Sequence, residues 1–262
     1  MKNLIWGLIF LIIGILLLVF IYNNFEGFFR KLSLPKFSGN DRGSQQVVGD
    51  REKELRVYIS GVRPGGYYLG SNYGYVSLIN NSNFPVNVTG WKIETNKSSF
   101  PIPQAIEDYN PSGINSKSDI VLNPRAQLTI FTHSSAIGEN ILINKCMGYL
   151  QNNINFEPQL PRICPRISRE EVAQLSGICQ NYLMSFSNCR VPSSEDSVGN
   201  DFACGEKLKE LSYLGCFSKH GSDPDFFTNQ WYVWGSGAIL DPYHDIVRII
   251  DEEGFVVSDY IY

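Results

Sequence analysis

The stretch YVSLINNSNFPVNVTGWKIE, residues 75–94, contains the pattern that decides the fold. Its first five residues are typical of a strand, and the Asn- and Pro-containing segment at 80–85 has turn chemistry. Residues 86–94 then predict another strand, in which Trp91 directly follows Gly90. We expect Trp91 to lie in the core, because the neighbouring glycine leaves room for close packing.

Short strands separated by turns continue on both sides of this stretch. Residues 56–60 alternate apolar and polar side chains, as a half-buried strand does. Residues 245–250 and 255–262 form a predicted hairpin, in which Gly254 supplies the positive φ of the loop. Many short strands of this kind predict a mainly β fold, a β-sandwich. The other predicted strands lie at 99–102, 119–122, 127–132 and 229–234.

The character of the sequence changes between residues 146 and 227. Ser168 and Glu171 have the spacing of a capping box, and apolar residues recur behind them at helical spacing. A second helix is predicted from residue 201 to residue 214. We interpret residues 146–227 as an α-helical insertion within the β domain.

The six cysteines all lie in this insertion, and none forms a CxxC pair, which favours disulfides over a metal site. Two cysteines of one predicted helix would be separated by about 15 Å, too far for a bridge. If the two helices pack antiparallel, the start of one lies beside the end of the other. This geometry predicts the bridges Cys179–Cys216 and Cys189–Cys204. Cys146 and Cys164 bracket the first part of the insertion and are near in sequence, so they are predicted to form the third bridge.

The N-terminal segment predicts a membrane anchor. Residues 4–22 contain no charge, and as a helix they would span about 28 Å, close to the hydrocarbon thickness of a bilayer. The alternative is a cleaved signal peptide, which needs a shorter apolar run and a small-x-small cleavage site. We therefore predict a transmembrane helix within residues 1–24, a flexible stalk at 25–54 and a folded domain at 55–262.

The orientation of this anchor is predicted differently by two signals. Basic residues follow the helix, at Arg30, Lys31, Lys36 and Arg42, and favour a cytoplasmic C-terminus. Cysteines without metal-type spacing favour an oxidising compartment. Because large domains often translocate regardless of flanking charge, we predict a single-pass membrane protein with an extracytoplasmic C-terminal domain.

The composition excludes some classes of function. The 262 residues carry a net charge of −4, and the sequence has no cluster of Lys and Arg. Nucleic-acid binding normally needs such a cluster. We expect the lipid bilayer, through residues 4–22, and a protein or glycan ligand as partners, with no nucleic acid and no cofactor.

Four segments, in their order and spacing, resemble the lamin-tail domain (LTD) family, whose fold is an immunoglobulin-like β-sandwich. The insertion, with Cys146 and Cys164-Pro165, resembles membrane-anchored bacterial proteins of this family that carry a cysteine-bearing helical segment. The resemblance covers residues 55–262 and implies the fold and a cell-surface location, but not a chemistry. Ser77 stands where the family often has an acidic residue. The segments are 75–80, 88–93, 120–124 and 245–256.

Candidate sites are few. Tyrosines interleaved with glycine could form a sugar-stacking or protein-contact surface, or could cover an edge of the sheet. Asp241, His244 and Asp245 could hold a cation or form a polar turn, and the turn is favoured because the EF-hand pattern is missing. We expect no metal site and no catalytic residue. The tyrosines are Tyr67, Tyr68, Tyr73 and Tyr75.

These observations favour a non-catalytic binding or scaffolding module for protein or cell-envelope ligands. One alternative is a hydrolase of cell-envelope or nucleotide substrates, which would need a pocket where histidine and carboxylates converge. Another is a structural envelope protein that associates with itself through a sheet edge.

Overall fold

A computed structural model describes residues 57–65, 73–186, 189–192, 201–237 and 240–262. All described residues belong to one compact unit, Gly49–Tyr262. The predicted anchor at 1–24 and the predicted stalk at 25–54 lie outside the described residues. Within the described ranges, no helix has the length and apolar character needed to cross a membrane.

The described domain is mainly β, as predicted, with three sheets. A five-stranded sheet has the order β1-β2-β7-β9-β8, a four-stranded sheet has the order β11-β10-β4-β5, and β3 pairs with β6. The strands are β1 Val57–Arg63, β2 Tyr75–Asn80, β3 Val86–Asn87, β4 Lys92–Glu94, β5 Ser99–Pro101, β6 Val121–Leu122, β7 Gln127–Phe131, β8 Ile141–Asn144, β9 Phe227–Trp234, β10 Ile246–Ile250 and β11 Val256–Ile261.

Both larger sheets contribute to one cluster of buried side chains, which we call the two-sheet core. Leu78 on β2 and Leu128 on β7 lie opposite each other in register and are fully buried. Val247 and Ile249 on β10 join the same cluster from the four-stranded sheet. Trp91 also belongs to it and is 5% exposed, so its predicted core position is confirmed.

One predicted strand is broken in the structure, and one observed strand was not predicted. The strand predicted at 86–94 is broken at Gly90, whose φ of +85° no strand residue adopts. The break lets β3 pair with β6 while β4 pairs with β10, so the chain passes from one sheet to another. Strand β8 was not predicted, because its four residues are all buried and show no alternation of apolar and polar side chains.

Four short α-helices replace the two that the sequence predicts. The capping box is confirmed, since Ser168 Oγ accepts from Glu171 N–H and Glu171 Oε1 accepts from Ser168 N–H. New N-caps at Ser176 and Ser212 interrupt the predicted helices. The helices are a 3₁₀ helix at Met147–Asn152, α1 Arg169–Val172, α2 Gly177–Met184, α3 Phe202–Lys209 and α4 Tyr213–His220.

The six cysteines form three disulfides, but each predicted pairing is wrong. Cys179 and Cys204 are each the third residue of a helix, and the N-termini of α2 and α3 lie side by side, with Ser176 Oγ donating to Asp201 Oδ2 over 2.8 Å. The antiparallel pair assumed from the sequence therefore does not form. The bridges are Cys146–Cys216, Cys164–Cys189 and Cys179–Cys204, instead of Cys146–Cys164, Cys179–Cys216 and Cys189–Cys204.

The insertion packs against one face of the five-stranded sheet. Phe131 and Trp234, on β7 and β9, belong to the same buried cluster as Met147 and the cysteines. Phe156, from the loop after the 3₁₀ helix, contacts Trp234 with ring centroids 6.2 Å apart. The five-stranded sheet is therefore covered on one face by the two-sheet core and over part of the other by the insertion.

Candidate binding pocket

A pocket of about 330 Å³ opens where β6, β7, β8 and β9 meet at one end of the five-stranded sheet. Its floor is apolar: Trp231 and Leu142 belong to the two-sheet core and are 4% and 8% exposed. Phe227 and Val121 are exposed at its rim. The pocket is lined by Glu107, Val121, Asn123, Ala126, Leu142, Phe227, Thr228, Asn229 and Trp231.

Three polar side chains of this lining have no side-chain partner among the residues that the structure describes. Asn123, Asn229 and Glu107 are all exposed. Within the described ranges, neither amide nor the Glu107 carboxylate makes a side-chain hydrogen bond or an ion pair. Thr228 differs, because its Oγ1 donates to the carbonyl of Ile143 over 2.7 Å. The two amides and the carboxylate therefore keep their hydrogen-bonding capacity for a ligand or water.

The turn that carries Asn123 is held firmly in place. Arg125 has a φ of +68°, and Ala126 N–H closes the turn on the carbonyl of Asn123 over 2.8 Å. The backbone N–H of Arg125 donates to the backbone carbonyl of Asn80, and the Arg125 guanidinium donates to Asn81 Oδ1 over 2.7 Å. The backbone position of Asn123 is therefore fixed, while its side-chain amide stays free to orient toward a ligand.

Asn229 reaches the pocket through an uncommon strand pairing. Strands β7 and β9 run parallel, with Gln127 opposite Gln230, so the start of β7 lies beside the first half of β9. Sequence reasoning placed Asn123 in a turn and Asn229 at the start of a strand, but assigned no site to them. No spacing in the sequence indicates that two segments so far apart pair in parallel, and no signal marked Glu107.

The donor set of this pocket suits binding better than catalysis. Among the described lining residues there is one carboxylate and no histidine, cysteine or lysine. In the described part of the chain, the one group of potential metal ligands is Cys179, Asp201 and Cys204. Its two sulfur atoms form a disulfide with each other and so do not supply thiolates.

The predicted tyrosine surface is only partly within the described residues. Tyr67 and Tyr68 lie outside them. Tyr73 and Tyr75 are half-buried and both contact Phe131, with ring centroids 6.1 and 6.5 Å apart. Tyr73 also stacks on His133 at 5.1 Å. The two described tyrosines thus pack against the insertion side of the sheet and do not line the pocket; a surface shared by all four stays a prediction.

The residues considered for a cation form a tightly bonded turn. Asp245 is fully buried, and its Oδ1 accepts from the N–H groups of Asn96 and Ile246, both over 2.8 Å. Its Oδ2 accepts from Asp241 N–H over 2.9 Å. Lys97 Nζ lies 2.6 Å from Asp241 Oδ2 and lowers the pKa of the Asp241 carboxyl. These contacts engage the carboxylate oxygens and fit the polar-turn interpretation.

His244 belongs to the same turn. Its Nδ1 donates to the carbonyl of Tyr262 over 2.7 Å, which fixes the ring against the C-terminal strand. No carboxylate among the described residues forms an ion pair with it. His244 therefore has a structural contact and no partner suited to proton transfer.

Comparisons with known proteins leave the family open. No protein-family model matches the chain. No curated protein is significantly similar to it in sequence. The resemblance to the lamin-tail family therefore stays a prediction.

Proposed function

We propose that this chain is a membrane-anchored, extracytoplasmic binding module that holds a neutral glycan of the cell envelope in the pocket between Asn123 and Asn229. We further infer that its two larger sheets form an immunoglobulin-like sandwich of the lamin-tail type. The observation that carries the proposal is a pair of amides, without a side-chain partner among the described residues, in a pocket that is also lined by the exposed ring of Phe227. The proposal gives the protein no catalytic role.

The chemistry of a sugar matches this arrangement. A pyranose ring has an apolar face that packs on aromatic side chains and hydroxyl groups that both donate and accept. Asn123 and Asn229 each offer one acceptor oxygen and two donor hydrogens, while Glu107 accepts. A carboxylate at the rim and a net charge of −4 disfavour anionic glycans.

A glycoside hydrolase would normally need a second carboxylate. Most such enzymes place a pair of Asp or Glu residues across the scissile bond. Glu107 is the one acidic residue among the described lining residues. This supports binding without turnover.

The proposal is tested by titrating the full chain, in phosphatidylcholine nanodiscs, with neutral hexose and N-acetylhexosamine oligosaccharides from an array screen. Asn229→Ala and Glu107→Gln should each weaken binding roughly 10-fold, since the first removes the amide hydrogen bonds to the glycan and the second replaces a charged acceptor with a neutral one. Asn83→Ala, at an exposed position outside the pocket, is the matched control. Binding that survives both pocket variants unchanged would contradict the proposal, and glycan cleavage lost in Glu107→Gln would favour the hydrolase.

The anchor is tested separately. Deletion of residues 1–24 should move the protein from the membrane pellet to the supernatant, because these residues contain the long uncharged apolar run. A folded truncated protein that still pellets with membranes would contradict the single-anchor prediction. The far-ultraviolet circular dichroism spectrum of the truncated protein shows whether its domain is folded.

A further inference from the structure

The insertion contains a second concavity, which we call the insertion groove. It has a volume of about 270 Å³. Leu183 and Leu211 form buried parts of its wall, and Met184 is 43% exposed at its edge. The groove is lined by Tyr149, Pro165, Arg166, Ile167, Leu183, Met184, Phe186, Cys189, Arg190 and Leu211.

The wall of the insertion groove is held by covalent and polar links. The Cys164–Cys189 bridge ties the segment before α1 to the segment after α2. Asn152 Nδ2 donates to the carbonyl of Cys189 over 2.7 Å, and also to that of Tyr149 over 3.0 Å. Gly148 lies so close that a Cβ there would be 2.2 Å from Cys189 Sγ. A groove fixed in this way costs an incoming ligand little reorganisation.

Two guanidinium groups flank the apolar wall. Arg190 lies over the ring of Phe186, with Cζ 4.7 Å from the centroid, in the geometry of a cation–π contact. Arg166 is exposed and lines both the groove and a smaller adjoining cavity. Among the described residues, Arg166 has no hydrogen-bond or ion-pair partner for its guanidinium group.

The acidic groups that line the adjoining cavity together with Arg166 are already engaged by lysines. Glu210 accepts from Lys207 and from Lys219, each over 2.8 Å. Glu171 accepts from the same two lysines. His220, in the adjoining cavity, contacts Asp223 over 2.8 Å. The carboxylates of the adjoining cavity thus pair with lysines, which leaves the positive charge of Arg166 without a partner among the described residues.

We propose that the insertion groove binds an acidic peptide segment of a partner protein, with an apolar side chain of the peptide in the groove and a flanking carboxylate on Arg166. A guanidinium group presents a planar fork of donors that matches a carboxylate in bidentate fashion. An apolar wall flanked by guanidinium groups fits a peptide, which carries both apolar and charged side chains, better than a lipid, whose chain is apolar throughout. This inference is independent of the proposed glycan pocket, which lies among other residues.

The test uses fluorescence polarisation with the full chain in phosphatidylcholine nanodiscs, under non-reducing conditions. The probes are the fluorescein-labelled peptides GEFELEG and GKFKLKG. The acidic peptide should bind at least about 10-fold more tightly than the basic one. The basic peptide cannot form the charge-assisted hydrogen bonds to Arg166, and its lysines bring like charges close to the guanidinium group. Equal binding of the two peptides would overturn the proposal.

Variants at Arg166 separate a direct contact from a change in the fold. Arg166→Gln should weaken binding of the acidic peptide roughly 10-fold, and Arg166→Glu should reverse the preference toward the basic peptide. The control Arg169→Gln changes the net charge equally at an exposed position outside the groove and should change affinity less than about 2-fold. The proposal would be overturned if Arg169→Gln lost as much affinity for the acidic peptide as Arg166→Gln. It would also be overturned if sodium dodecanoate displaced the labelled peptide at a lower concentration than the unlabelled peptide does.

Discussion

The two-sheet core and the cysteine-bearing insertion bury apolar side chains by different means. In the core, hydrogen-bonded strands present alternate residues such as Val247 and Ile249 to a shared interior. In the insertion, the four described α-helices have at most eight residues each, and three disulfides cross-link the region. Isolated helices of this length are marginal in water. The comparison shows that regular strand pairing stabilises the two-sheet core, while disulfides in the insertion compensate for its short helices.

The largest effect is expected from reduction of the disulfides. Each bridge stabilises the fold by about 2–4 kcal/mol, because it lowers the conformational entropy of the unfolded chain. Once the bridges are reduced, the insertion should therefore unfold before the two-sheet core. Hydrogen exchange measured by mass spectrometry, with and without a phosphine reductant, should show loss of protection in α2, α3 and α4 while β2 and β7 stay protected. Simultaneous loss in both regions would show that the core also depends on the bridges.

Removal of a core aromatic should give the next largest effect, and it should act on the core. Trp91→Ala deletes a ring that is 5% exposed and should lower the free energy of unfolding by about 3–5 kcal/mol. Tyr243→Ala, at a side chain that is 88% exposed, is the control and should be nearly neutral. Chemical denaturation under non-reducing conditions measures both values. Similar stability of the two variants would place the Trp91 ring outside the core.

A single buried carboxylate should have an intermediate effect. Asp245→Asn replaces one acceptor oxygen with an amide donor, so at least one of the three backbone N–H groups of Asn96, Ile246 and Asp241 loses its partner. The expected cost is about 1–3 kcal/mol. Asp259→Asn, at an exposed position, should cost much less. Thermal unfolding of the two variants decides whether the turn stabilises the end of the core.

The smallest effect is expected from one ion cluster of the insertion, and it depends on pH. Although burial opposes it, contacts with Lys219 and other donors lower the pKa of Glu171 to about 2. A carboxyl whose pKa is lower in the folded state stabilises the fold fully above its unfolded pKa. The contribution is then lost as the pH falls from about 4.5 toward 2. The difference in melting temperature between the wild type and Glu171→Gln should therefore shrink over this range; a constant difference would contradict the assignment.

The two regions also differ in how far the sequence predicts them. Strands with alternating residues, such as β10, and the hairpin at Gly254 were predicted with nearly correct bounds. The strand break at Gly90 was missed, because local propensity does not show that two half-strands pair with different sheets. In the insertion, the cap at Ser168 was predicted, but the caps at Ser176 and Ser212 were read as helix interior.

The binding pocket could not be predicted at all from local patterns. Asn123 and Asn229 are brought together by the parallel pairing of β7 and β9, which no periodicity specifies. The side chains themselves are ordinary for a turn and for a strand end. Their role as a pair depends on tertiary contacts, which no local pattern shows.

The order of the bridges along the chain has a consequence for biosynthesis. None of the three disulfides joins two cysteines that follow each other in sequence, and the Cys164–Cys189 and Cys179–Cys204 loops interleave inside the loop closed by Cys146–Cys216. An oxidant that joins thiols in the order in which they are synthesised would create only wrong pairs. Correct assembly therefore requires either oxidation delayed until the insertion has collapsed, or a thiol isomerase that reshuffles early bridges through mixed disulfides.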